Sequence, residues 1–114
     1  MRVPLFPLRT VLYPGGPLPL RIFEPRYIDM VSKCIASDSP FGVLLIKSGT
    51  ETGPATTYDI GTLARIIDWY QGSDGLLGIT AIGEQRFRLK ASSREPDGLA
   101  IGEVEIFPTE SRLT

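Results

Sequence analysis

Ten of the 114 residues are proline, and six of them fall within the first 25. Proline has a fixed φ and no backbone N–H, so it cannot donate to a sheet ladder. Val3–Leu8 (VPLFPL) is apolar but carries two prolines, and it reads as an edge strand and not a central one. Tyr13-Pro14-Gly15-Gly16-Pro17 is a turn, with glycines to supply positive φ and prolines to hold the flanks extended. Leu18–Phe23 reads as a second strand. With 12 glycines added to the prolines, the chain turns too often for a helical bundle and suits many short strands.

One helix interrupts this pattern. Pro25 fits a first helical position, where its missing N–H is no loss, and Glu24 sets negative charge at the positive end of the helix dipole. Tyr27, Ile28, Val31, Cys34 and Ile35 form one apolar stripe at helical spacing, which predicts a helix over 25–36 ending at Ser37-Asp38-Ser39-Pro40. Beyond it the period shortens. Gly42–Lys47 is a short apolar strand, and Ser48–Thr57 is a loop with no strand signal. In Tyr58–Tyr70 both faces are largely apolar, so much of that strand is expected to be buried on two sides. Gln71–Gly75 is a hairpin connection, Leu76–Lys90 is a long strand kinked or bulged at Gly83-Glu84, and Leu99–Phe107 is the last strand. About six strands with little helical cover tend to curl and close, so a small barrel or pseudo-barrel is expected, the helix packing on one side or one end.

The chemistry is narrowed by what is missing. The chain has no histidine, which excludes a Ser-His-Asp triad and a Cys-His dyad. One cysteine without histidine cannot build a zinc site of the usual ligand types, nor an internal disulfide. No glycine precedes a lysine, so there is no G-x-x-x-x-G-K-[ST] loop, and no G-x-G-x-x-G occurs. Lys33, Lys47 and Lys90 and the carboxylate pairs Asp59/Asp68 and Glu103/Glu105 all have ordinary surface explanations. No catalytic residue, cofactor or metal is therefore assigned. A net charge of -1 gives no support for a nucleic-acid partner, and no stretch has the ~18 apolar residues of a membrane span. Without a continuous apolar signal region at its start, the chain is expected in the cytoplasm.

Several stretches together resemble the N-terminal, substrate-recognition domain of the Lon protease family. They are Pro4-Leu5-Phe6-Pro7-Leu8, Tyr13-Pro14-Gly15, Leu18-Pro19-Leu20 and Ile22-Phe23-Glu24-Pro25-Arg26-Tyr27 with Met30. They follow the family's "PLFPL…V.FPG…PL.IFEPRY..M" pattern, with Tyr13 where phenylalanine is common. Gly61-Thr62-Leu63-Ala64-Arg65-Ile66 is similar to its "GT.A.I" strand, and Gly83 with Gln85-Arg86-Phe87-Arg88-Leu89 to its "G..RF.." segment. The resemblance runs from Val3 to Phe107. It implies a mainly β fold with one or two helices, a PUA-like pseudo-barrel of about six strands, as a single domain over 1–114 with a helical segment following in a longer protein. In Lon proteases such a domain captures unfolded or tagged polypeptides for an ATPase and a Ser–Lys peptidase, neither of which is in this chain. Similar domains also stand alone or belong to a ubiquitin-ligase substrate receptor.

Within that frame Pro7, Pro14, Gly15, Glu24, Pro25, Arg26 and Tyr27 are read as structural, tying turn and helix to the barrel. Trp69, Tyr70, Leu76 and Leu77 flank a glycine turn and are the candidates for gripping an apolar polypeptide segment, against the alternative that they are core residues at hairpin ends. Arg86, Arg88, Lys90 and Arg94 would have to carry the alternative of RNA binding, which rests on fold analogy alone. A regulatory domain docking one folded partner, or a homo-oligomer, also remains open.

Overall fold

The structure is a computed structural model that describes residues 1–49 and 55–108. In chain order the elements are β1 (Arg2–Leu8), β2 (Pro17–Ile22), α1 (Pro25–Ser37), β3 (Phe41–Gly49), β4 (Ala55–Gln71), β5 (Leu77–Arg94) and β6 (Ala100–Ile106). The expected loop over Ser48–Thr57 is shorter than its composition suggests. Ser48 pairs with Thr56 and Gly49 with Ala55, so ladder hydrogen bonds carry the hairpin outward without apolar alternation. The rest of that loop, 50–54, lies outside the described residues.

β1, β3, β4, β5 and β6 pair in sequence, and β6 pairs back onto β1, closing a ring. β5 makes closure possible by changing partners along its 18 residues. Leu77–Ile82 pairs with β2, whereas Phe87–Arg94 pairs with β6. The change of partner brackets Gly83-Glu84, where the register against β4 slips between Thr62 and Ala64. That is the bulge the glycine predicts. The turn before β2 is fastened there. Gly15, at φ 80°, donates its N–H to the Gly83 carbonyl at 2.7 Å, and the Gly83 N–H reaches the Gly16 carbonyl at 2.9 Å. A Cβ on Gly83 would run into the Tyr13 carbonyl, so two glycine motifs far apart in sequence are one contact in space.

The expectation that β1 is an edge strand is corrected by the structure. β1 lies between β3, which is parallel to it, and β6, which is antiparallel. Its prolines are tolerated because each partner takes only part of the strand. β6 pairs with Arg2–Pro4, and β3 with Leu5–Leu8. Met1 and Val104 exchange backbone hydrogen bonds, so by alternation the Pro7 nitrogen faces the β6 side after β6 has ended. The Pro4 nitrogen faces the β3 side before β3 begins.

Alternation along β1 also separates two cores. Val3 and Leu5 point into the ring with Leu44, Leu63, Phe87 and Val104. Phe6 and Leu8 point outward, to a second apolar layer shared by Leu18, Ile22, Phe41, Val43, Ile79 and the helix. α1 supplies Tyr27, Met30, Val31 and Cys34 to this layer, so it packs on one side of the barrel and does not plug its end. Ile28 and Ile35 of the predicted stripe sit at its margin, half-buried.

The motif around Pro25 explains the docking. Pro25 occupies the start of the helix and Glu24 is its N-cap residue, but the Glu24 side chain makes no cap hydrogen bond. Its carboxylate instead lies 3.0 Å from Arg26 Nε, in ion-pair contact but off line for a hydrogen bond. Arg26 Nη1 donates to the Gly98 carbonyl at 3.3 Å, tying the helix to the β5–β6 turn. Tyr27 stacks on Phe6 with centroids 4.1 Å apart and planes 3° from parallel. At the other end Asp38, at φ 50°, caps the helix by accepting a left-handed conformation.

Cys34 belongs to this packing. Burial pushes its thiol pKa up, partly offset by a hydrogen bond with Ser39. A raised thiol pKa means the fold favours the neutral form. Its stabilising contribution is full below the unfolded-state thiol pKa and is lost as pH rises above it. We expect Cys34 to resist alkylation at neutral pH in the folded protein and to react at once in denaturant, measured by mass shift. Equal rates in both conditions would contradict the packing described.

Candidate functional site

β4 outruns the barrel. β3 accompanies it only as far as the Phe41–Ala64 pair, whereas β5 continues beside it to Gln71. The expected two-sided burial holds from Gly61 to Ala64 and fails on both sides of them, at Tyr58 and Ile60 before and beyond the end of β3 after. Ile67, Trp69 and Tyr70 are 58%, 52% and 56% exposed. An apolar alternation looks the same whether or not a third strand covers it, which is why the sequence does not separate the two halves.

The hairpin tip is rigidly made. The Gly72 N–H bonds the Leu76 carbonyl at 3.0 Å, the Asp74 carboxylate accepts the Leu76 N–H at 3.1 Å, and Gly75 takes φ 82°. Of the four candidates, Trp69 and Tyr70 stand on the surface and Leu76 is half-buried. Leu77 is a core residue, 8% exposed, in the layer under α1. Tyr70 lies across its register partner Gly78, filling the space a side chain there would need. Trp69 is paired with Ile79. Ile67 was not singled out from the sequence, yet it is as exposed as the two aromatics.

Which backbone groups face outward follows from the ladder. The Gly72–Leu76 hydrogen bond fixes Tyr70/Gly78 and Asp68/Thr80 as bonded pairs by alternation, so Trp69 and Gln71 turn their N–H and C=O groups away from β5. The Trp69 N–H is met there by its neighbour's side chain, Asp68 Oδ1, at 2.9 Å. Among the described residues no strand pairs with this side of β4. The outer side of β2 is also unpaired among them but differs in kind. The Gly83-to-Gly16 hydrogen bond puts Leu18, Leu20 and Ile22 in register for β5, so Pro17 and Pro19 turn outward and remove donors from that edge.

Arg65 marks the base of the free segment. Its Nε lies 2.9 Å from Glu84 and its Nη1 2.8 Å from Asp38, pinning β4 to β5 and to the helix C-terminus. The hydrogen bond and charge of Glu84, with the charge of Asp38, push its pKa up. The basic residues of the RNA alternative are dispersed in their engagements. Lys90 is 3.7 Å from Glu105, Arg94 donates to the Gly98 carbonyl, and the Arg88 guanidinium lies 5.8 Å from the Phe107 ring centroid.

The model of the "ATP-dependent protease La (LON) substrate-binding domain" family matches residues 2–113. The chain belongs to this family. The crystal structure of a Lon N-terminal domain protein from Xanthomonas campestris superposes with a TM-score of 0.85 at 40% identity, covering 97% of this chain and 62% of that one. The N-terminal domain of a Lon protease from the Mycobacterium avium complex shares the fold, with a TM-score of 0.68 at 19% identity over 99% of this chain and 58% of that one. Among curated relatives, cereblon of Danio rerio is 32% identical over 93% of the chain, and Lon protease 2 of Myxococcus xanthus is 31% identical over 76%. The chain spans 25% of the first and 11% of the second. The expected family membership and pseudo-barrel of six strands are therefore established, with one helix among the described residues. The part of Lon proteases matched is their substrate-binding domain. Among the described residues no helix is long and apolar enough to cross a membrane.

Proposed function

We propose that this chain is a non-catalytic polypeptide-recognition module, a single domain of the cytoplasm, and that the projecting end of the β4–β5 hairpin is where it meets its ligand. The observation that carries this is the exposure of Ile67, Trp69 and Tyr70 on a strand that has outrun its neighbour, with Trp69 and Tyr70 on opposite faces of it. Large apolar groups held rigidly at the surface gain free energy by leaving water, and aromatic residues dominate such contacts. The family's description as substrate-binding supports a polypeptide, unfolded or tagged, or a protein partner. Absent histidine, P-loop and convergent acid–base pairs support the non-catalytic part. RNA is disfavoured because Lys90 and Arg94 are already engaged.

Titrating a labelled, permanently unfolded protein and following anisotropy tests this. Saturable, weak and sequence-tolerant binding is expected, and Trp69→Ala should weaken it by about tenfold without changing the unfolding midpoint much. No saturation at high micromolar protein would overturn the reading. Binding of single-stranded RNA that falls steeply with salt would replace it.

A further inference from the structure

We propose that the outer edge of β4, Ile67–Gln71, accepts an extended segment bearing a lysine or arginine as an added strand, with Asp68 as its charge partner. This rests on the polypeptide-recognition reading above and names its geometry and ligand chemistry. Trp69 and Gln71 present outward N–H and C=O groups at strand spacing, and only another extended backbone offers donors and acceptors in that alternation. Proteins ordinarily blunt such an edge, and this one does so at β2 with Pro17 and Pro19. On β4 no proline intervenes, and the register slip between Ile66 and Asp68 leaves the stretch Asp68–Gln71 regular. The Trp69 N–H is instead held by the Asp68 carboxylate, a side chain that can swing away.

Asp68 also sets the ligand's charge. It has no ion-pair partner among the described residues. A segment laid along the edge brings its own side chains to within a few ångströms of that carboxylate, where a cation is favoured and an acid opposed. The same argument disfavours a second copy of this chain. Two β4 edges paired about a two-fold axis at Trp69 would set the two Asp68 residues as diagonal like-charge neighbours on one face, ~7–8 Å apart. Apolar residues of the segment would lie against Ile67 and Trp69. With so few residues of edge, affinity is modest and tolerant of sequence.

Trp69 is the chain's single tryptophan, so its emission reports on this place alone. The probes are three synthetic peptides of alternating valine and threonine: one with a central lysine, one with glutamate there, and one lysine peptide N-methylated on alternate amides along the pairing side. The lysine peptide should shift Trp69 emission to the blue and bind about threefold more tightly than the glutamate peptide. Asp68→Asn should erase that preference, and N-methylation should abolish saturable binding. Gln71→Pro, which removes an outward donor and leaves the β5 ladder intact, should do the same. If that variant does not fold, the N-methylated peptide on the unaltered protein decides.

Equal binding of the N-methylated and parent peptides would overturn the proposal. So would unfolded protein binding with unmoved Trp69 emission, which leaves the recognition reading standing. Failure of any polypeptide to bind overturns both. Concentration-dependent dimerisation that Gln71→Pro abolishes, without peptide binding, would assign the edge to a second copy instead.

Discussion

Replacing Phe87 with alanine should remove about 3–5 kcal/mol of stability, the cost of emptying a fully buried aromatic site that cannot collapse. Phe87 has no exposed surface and centres the ring's interior, among Val3, Leu5, Leu44, Leu63 and Val104. These neighbours come from four different strands, so no single element can shift to fill the void. A domain of this size is held by about 5–15 kcal/mol in all, which makes the variant marginal. Denaturant unfolding followed by circular dichroism measures the loss. A change under 1 kcal/mol would mean that the interior is not packed as described.

The second large effect comes from adding a single carbon. Gly61 is the register partner of Phe87, and a Cβ there would meet the Val43 carbonyl, the Phe87 ring and a Leu44 methyl together. Gly42 is similarly pressed, with Phe87 Cζ only 2.9 Å from where its Cβ would stand. The ring of Phe87 thus occupies space that two glycines leave open. Gly61→Ala should cost about 1–3 kcal/mol through overpacking. Because the two residues share one volume, the double variant with Phe87→Ala should lose less than the sum, by about 1 kcal/mol. The carbonyl contact of Val43 survives in both backgrounds, so rescue is partial. Strict additivity in the denaturant midpoints would show that the ring does not fill the glycine's space.

These two residues also explain what the sequence offers a reader and what it withholds. The glycine of GTLARI and the phenylalanine of QRFRL stand out as motifs, but their meeting across β4 and β5 is not written locally. Helix α1 was legible to within a residue because its start, stripe and stop are local signals: Pro25, the Tyr27-to-Ile35 spacing and Asp38. Strand existence was legible for the same reason. Partner identity was not, and the place of β1 turned on it. Two prolines argue for an edge unless different partners take the two ends of the strand, which only ring closure reveals. The candidate site divides similarly. Trp69, Tyr70, Leu76 and Leu77 all flank the glycine turn, and the sequence leaves surface and core open for each; Trp69 and Tyr70 take the first and Leu77 the second. Ile67 stayed hidden because its exposure depends on where β3 stops. The bond from the Trp69 N–H to Asp68 has no sequence signature at all.

The pairing of β1 with β6 has a bearing on how the chain reaches this state. Met1 and Val104 are hydrogen-bonded across a separation of 103 residues, so the ring is sealed by the first and last strands of the fold. A contact that distant cannot form early, and closure of such long loops slows folding. While a ribosome is still delivering β6, both β1 and the later half of β5 lack the strand that will lie between them. The nascent barrel therefore waits open, with Phe87 unsealed, until almost the whole domain has emerged.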